Sequence, residues 1–346
     1  MISRLCLEVI RHSFWSGMLG GKIRIGIVGS GGMAGNHAKN FAHDDVGELV
    51  AIASRNTGTG LDLAQKCNAR FVPNWQEMVQ QEDLDGIVVC TANDSHGEIV
   101  IASLEHDKHV FTEYPLARSL EEGEVAAEIS ISKRKILRVS HSEPVSETHQ
   151  AIRQEIEHLG QLLVASFMRL TPGRGGRPEV LFNLQISGPP AHFFIYHIYP
   201  VVDLFGQAEW VEANAIYSNL NDSGSYDQFV NIVTVGFKGG GIGHWTWSGG
   251  IEIQSAEQHH RYVLDGGTLV NSGGGWQVST RLGIESITPT SVQYSSVVDL
   301  WLSEVLNNNL VSAQTDTTKA LDAIRVSLLA EKAMQENRRV PIHRSN

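Results

Sequence analysis

From residue 23 to residue 139 the chain alternates short apolar runs with longer mixed stretches, the pattern of strands joined by crossover helices. The apolar runs predict strands at 23–28, 49–54, 86–91, 109–112 and 135–139. Helical stretches are expected at 35–43, 60–67, 75–81, 96–106 and 120–132. Ser119 and Glu122 have capping-box spacing and signal the start of the last of these. Beyond that point the pattern changes. A helix over 147–158 is followed by β-rich runs at 162–170, 211–218, 229–237, 243–248, 258–264 and 268–270. Turns such as Lys238-Gly239-Gly240-Gly241 and Asp265-Gly266-Gly267 punctuate them, which predicts a mostly antiparallel sheet. Helices at 297–307 and 317–337 follow, the second returning toward the first half. Residues 172–190, dense in Gly, Pro and Arg, read as a long surface loop.

The change of pattern near 140–145 divides the chain into a leader (1–21), a first domain (22–142) and a second domain (143–346). A length of 346 residues allows two separate cores. The net charge of −11 leaves no general basic surface for nucleic acid or anionic lipid. Cys6, Cys67 and Cys90 are odd in number and far apart, so neither a metal pair nor a disulfide framework is expected, in keeping with a cytoplasmic protein. Cys90 falls within an apolar strand and reads as a small core residue. No apolar run approaches the ~20 residues a bilayer requires. Glu8, Arg11 and His12 interrupt the leader, which is expected to be disordered rather than a secretory signal.

The strand at 23–28 runs into Gly29-Ser30-Gly31-Gly32-Met33-Ala34 and then a helix. In that order G-x-G-x-x-A has a physical meaning. Gly29 permits a tight turn, Gly31 leaves room for a pyrophosphate, and Ala34 lets the helix pack close to the strand. The expected fold is therefore an α/β Rossmann domain with a parallel sheet, followed by an α+β domain with an open, mostly antiparallel sheet. The second strand ends Ala53-Ser54-Arg55-Asn56, without a carboxylate until Asp62. Ser54 can donate to a ribose 2′-phosphate and Arg55 can pair with it, which favours NADP(H) over NAD(H) while leaving both open.

Thr91-Ala92-Asn93-Asp94-Ser95-His96 and Glu113-Tyr114-Pro115-Leu116-Ala117 complete a set of three ordered motifs. Together they resemble the Gfo/Idh/MocA oxidoreductase superfamily, over nearly all of residues 22–342. The resemblance implies that Thr91, Ala92, Asn93, His96 and Glu113 border the coenzyme. It also implies that Tyr114 stands where the superfamily usually carries the lysine of E-K-P. A phenol can donate a proton but brings no fixed positive charge. E-Y-P is similar to the biliverdin reductase branch, as are the run from His149 to Gln154 and Asp203-Leu204-Phe205-Gly206. That branch usually carries arginines where this chain has His197 and Pro200.

Alignment on Gly206 places Tyr196 at the superfamily's catalytic histidine or tyrosine, and a shift of one places His197 there. His192, Tyr196, Tyr199 and Asp203 fall on one helical face, unless the helix begins near Pro200, which has no N–H. His96 is weighed between coenzyme contact and structural support. Trp245 and Trp247 share a strand face and read as packing, and the adjacent His259 and His260 point to opposite faces. No metal is expected.

The resulting expectation is an NAD(P)-dependent oxidoreductase acting on a small molecule, with Tyr114, Tyr196 and His197 handling the proton. The substrate is a sugar or cyclitol carbinol or carbonyl, or alternatively a bilin methine. A coenzyme-binding regulator without catalysis is the third reading. A homo-oligomer is expected to cover the open sheet.

Overall fold

The computed structural model describes residues 21–41, 44–173 and 178–343. The expected leader up to residue 20, with Cys6, lies outside these residues. Six strands form the first sheet: β1 (Ile23–Val28), β2 (Gly47–Ala53), β3 (Arg70–Val72), β4 (Gly86–Val89), β5 (His109–Thr112) and β6 (Leu137–Val139). All are parallel, in the order β3-β2-β1-β4-β5-β6. Ile27, Ile52, Val88, Val89 and Phe111 are fully buried, as continuous apolar strands covered by helices on both faces must be. The order reverses between β1 and β4, so their carboxyl ends open onto a crevice.

The second sheet has nine strands: β7 (Leu162–Pro172), β8 (Ala208–Ser218), β9 (Gln228–Phe237), β10 (Ile242–Ile251), β11 (Glu257–Leu264), β12 (Gly267–Asn271), β13 (Trp276–Thr280), β14 (Gly283–Ser286) and β15 (Val340–Pro341). Their order is β14-β13-β12-β11-β7-β10-β9-β8-β15. Every pair is antiparallel except the central β7–β10 pair, which is parallel. One face alternates Phe229, Val233 and Val235 on β9 with Trp245 and Trp247 on β10, all buried. That inner face packs on the helix Ile195–Phe205 and the long helix Leu310–Glu336, which also reaches β6 of the first sheet.

Several expectations need correction. The long helix begins at Leu310, where Asn309 caps it by accepting from the Ser312 N–H, and not at 317. Residues 178–193 are not a loop but three helical turns, Pro178–Leu181, Leu184–Ser187 and Pro190–Phe193, tied down by the fully buried Phe182. Residues 174–177 of that stretch lie outside the described residues. Pro200 does not start a helix. It sits inside Ile195–Phe205, forfeiting one bond to the Tyr196 carbonyl while buried Ile198, Tyr199, Val201 and Val202 hold the helix in place. β3, β13 and β14 lack an apolar signature: Arg70 is exposed on β3, and β14 is exposed throughout.

Candidate active site

The turn after β1 has the shape its sequence promised. Gly29 holds φ at 130°, and a Cβ there would lie 2.3 Å from the Cys90 carbonyl oxygen. A Cβ on Gly31 or Gly32 would meet nothing within 4 Å, so the turn faces open space. The helix Gly32–Phe41 starts there, with Ala34 buried against the sheet and Met33 exposed. Its first amides have no partner within the helix, the arrangement that suits a diphosphate. At the end of β2, the Ser30 hydroxyl lies 2.7 Å from that of Ser54 and 2.6 Å from that of Thr59. Arg55 is exposed beside them. Asn56 instead caps the next helix, accepting from the Thr59 N–H at 3.1 Å. Asp62 faces outward to Lys66.

The loop after β4 carries Thr91, Ala92 and Asn93, with Ser95 donating to the Thr91 hydroxyl at 2.9 Å. His96 is buried behind it. Its Nδ1 lies 2.7 Å from the Pro115 carbonyl and its Nε2 3.2 Å from that of Thr91, so its ring joins the two loops. Glu113 closes β5 and pairs with His37 of the glycine-turn helix at 2.7 Å. His37, Cys90 and Glu113 bring ligand atoms within 4.8 Å of one another. The His37–Glu113 pair accounts for that closeness, and burial, then Glu113, pushes the Cys90 thiol well up.

Tyr114 follows, joined to Pro115 by a cis peptide bond. Its ring lies over His141, centroids 5.7 Å apart, and His141 stacks at 3.7 Å on Tyr199. Tyr196 comes from the other half, its ring 5.3 Å from that of Tyr114. Burial foremost, then Tyr196, Glu113 and Glu143, pushes the Tyr114 phenol up to about 12. Burial also raises Tyr196, against an opposing pull from Arg169. His197 lies 4.1 Å from Tyr196, among Phe167, Phe194 and Trp247. The Trp247 indole N–H donates to its Nδ1 at 3.0 Å, and burial holds the imidazole well below its usual range. The ring is therefore neutral, with its proton on Nε2.

The expected face of four polar residues divides. A turn at Phe194 separates His192 from the helix that carries the other three. His192 pairs with Ser327, Tyr199 donates to Asp316 at 2.5 Å, and Asp203 binds Lys319 at 2.6 Å, all on the long helix. Asp203 also binds His149 and Arg153. All three are thus tied to the long helix, and of the four Tyr196 alone reaches Tyr114. A cavity of about 310 Å³ is lined by Arg138, Arg153, Tyr199, Asp203, Asp316 and Lys319, without Tyr114 or Tyr196. Sequence reading missed His37, His141 and Arg169, which reach the site only through tertiary contacts.

Residues 23–141 match the model of an oxidoreductase family with an NAD-binding Rossmann fold, Gfo/Idh/MocA. The chain is 27% identical over 209 residues to a 4-carboxy-2-hydroxymuconate-6-semialdehyde dehydrogenase of Sphingobium sp., covering 58% of this chain and 64% of that one. It is 26% identical over 225 residues to a scyllo-inositol 2-dehydrogenase (NADP(+)) of Bacillus subtilis, covering 61% and 69%. The chain thus spans about two thirds of the length of these relatives. In fold it is similar to biliverdin reductase of Synechocystis sp., solved with biliverdin and NADP+, with a TM-score of 0.77, 24% identity and coverage of 90% and 99%.

Proposed function

Because residues 23–141 match the model of the Gfo/Idh/MocA oxidoreductase family, we propose that this chain is an NAD(P)-dependent oxidoreductase acting on a carbinol or carbonyl carbon of a sugar- or cyclitol-like substrate. The observation that carries the reading is the meeting of Tyr114 and Tyr196 at 5.3 Å, beside the crevice the glycine turn faces. The dehydrogenase relatives support it, one of them an inositol enzyme. Residues 22–142 serve as the coenzyme domain and 143–346 as the substrate domain.

Gly29 to Ala34 hold the pyrophosphate, and the nicotinamide, when bound, supplies the hydride donor or acceptor. Tyr114 keeps its proton throughout the neutral range and donates it, or a hydrogen bond, to the substrate oxygen. Tyr196 orients that oxygen from the other side. His197, neutral and fixed by Trp247, presents a ring N–H as a second hydrogen-bond donor. Ser30, Ser54 and Thr59 offer hydroxyl donors at the end of β2, and Arg55 a cation, which favours NADP(H). His96 and Asn56 act on the coenzyme indirectly, by fixing their loops. A homo-oligomer covers the outer sheet face, and the protein works in the cytoplasm. No helix among the described residues is long and apolar enough to cross a membrane.

Bilin reduction is the second reading, favoured by Tyr114 in the lysine position and by the ring-rich wall of Phe167, Phe194 and Trp247. Absorbance assays with NADP+ and a panel of inositols and sugars, and with NADPH and biliverdin, separate the two. Polyol turnover is expected. Coenzyme uptake without turnover of either class would replace the enzyme by a regulator.

A further inference from the structure

β7 places Phe167, Arg169 and Thr171 on one face by its two-residue repeat. Register puts Arg169 between Trp247 on β10 and Gln258 on β11, and Phe167 between Trp245 and His260. Phe167 lies 4.3 Å from His197, and Trp247 donates to that same ring. This is therefore the face that looks onto His197 and Tyr196, and a guanidinium stands in the middle of its aromatic wall.

One edge of that guanidinium is fixed. Its Nη1 donates to Gln258 Oε1 at 3.0 Å, and Gln258 Nε2 is 2.7 Å from His260 Nε2. The other edge has no partner among the described residues. Arg169 Nε is buried with no acceptor, and so is the next hydroxyl on the same face, Thr171 Oγ1. Among the described residues no carboxylate comes within ion-pair distance of Arg169. A guanidinium cannot lower its cost of burial by losing its proton, so its unpaired edge calls for an anion from outside the chain. Its field already reaches the site, where it opposes burial at Tyr196 and adds to it at His197.

We propose that Arg169, with Thr171, forms a subsite for a carboxylate carried by the substrate, which makes the acidic members of the sugar- and cyclitol-like class, such as uronates, the preferred substrates. The inference rests on the oxidoreductase reading for the identity of the cleft, but carboxylate binding itself needs no hydride transfer. Two probe pairs differ chiefly in that group: glucuronate against glucose, and biliverdin against its dimethyl ester. Each is titrated calorimetrically into the full chain, with and without NADP+. At least one carboxylate member is expected to bind about tenfold or more tighter than its partner. Arg169→Gln should collapse that ratio to within about twofold, and Arg169→Lys should keep part of it, since it retains the charge without the planar fork. Equal affinity within both pairs, or a preference that survives Arg169→Gln, overturns the proposal. The wild-type comparison decides even where a variant fails to fold. Failure to take up either coenzyme would instead sink the oxidoreductase reading, with the probe pairs still deciding the role of Arg169.

Discussion

In the proposed reaction, a phenol at Tyr114 where a resembling enzyme would carry an ammonium changes how a developing negative charge on the substrate is met. Tyr114 can give a proton but no net charge, so its contribution is confined to proton donation and hydrogen bonding. Tyr114→Phe is expected to lower kcat on the order of 10²-fold while NADPH affinity, read by fluorescence, stays within about twofold. Unchanged turnover would remove the phenol from the proton path. At the other end of the crevice, Ser54→Asp puts a carboxylate among the hydroxyls of Ser30 and Thr59. It should weaken NADPH by about tenfold or more and spare NADH, and equal loss for both would defeat the NADP preference. Much of this site could be read from the chain. Gly29, Gly31 and Tyr114 stand out as candidates because short contiguous motifs carry them, and Ser54 because it ends a strand with an apolar signature. Arg169 does not: its inward position is fixed by Trp247 and by Gln258, 89 residues away.

At the scale of elements, the first sheet is held at its β6 edge by a buried ion pair. Arg138 donates to Glu304 through Nε at 2.6 Å and Nη2 at 2.5 Å, and lies 3.2 Å from Asp316. Glu304 belongs to the helix Val297–Asn307 and Asp316 to the long helix, so both C-terminal helices close on one strand. Removing one partner strands the other's charge. Glu304→Ala should therefore destabilise the protein by about 3–5 kcal/mol, measured as a shift in the urea midpoint. A loss under about 1 kcal/mol would show that solvent reaches Arg138. Elements that bury on both faces, such as β1 and β4, were legible from apolar runs alone. β3 and β14 were not, because their pairing rather than their composition makes them strands. The turns between 178 and 193 depend on the burial of Phe182, a tertiary fact invisible in a stretch rich in Gly, Pro and Arg.

Across the whole molecule, burial holds several histidines neutral. It lowers His109 to about 4, His141 to about 3 and His192 to about 4, against ~6.5 for an unfolded histidine. Unfolding between those values takes up protons. Their contribution to stability is thus complete above pH ~6.5 and falls progressively as the pH drops toward 4 and 3. The Tm should be level from pH 7 to 8 and decline below about 6.5, with a shallower decline in His141→Phe. An identical slope in that variant would clear His141 of the effect. The long helix that packs on β6, β8 and the helix Ile195–Phe205 carries a different consequence, one for biosynthesis. On the ribosome, the nascent parallel sheet waits for roughly 200 further residues, about 10–40 s at ~5–20 residues per second, before that helix arrives. Throughout that interval its apolar seat is uncovered, which makes the half-made chain a client for chaperones and a target for proteases.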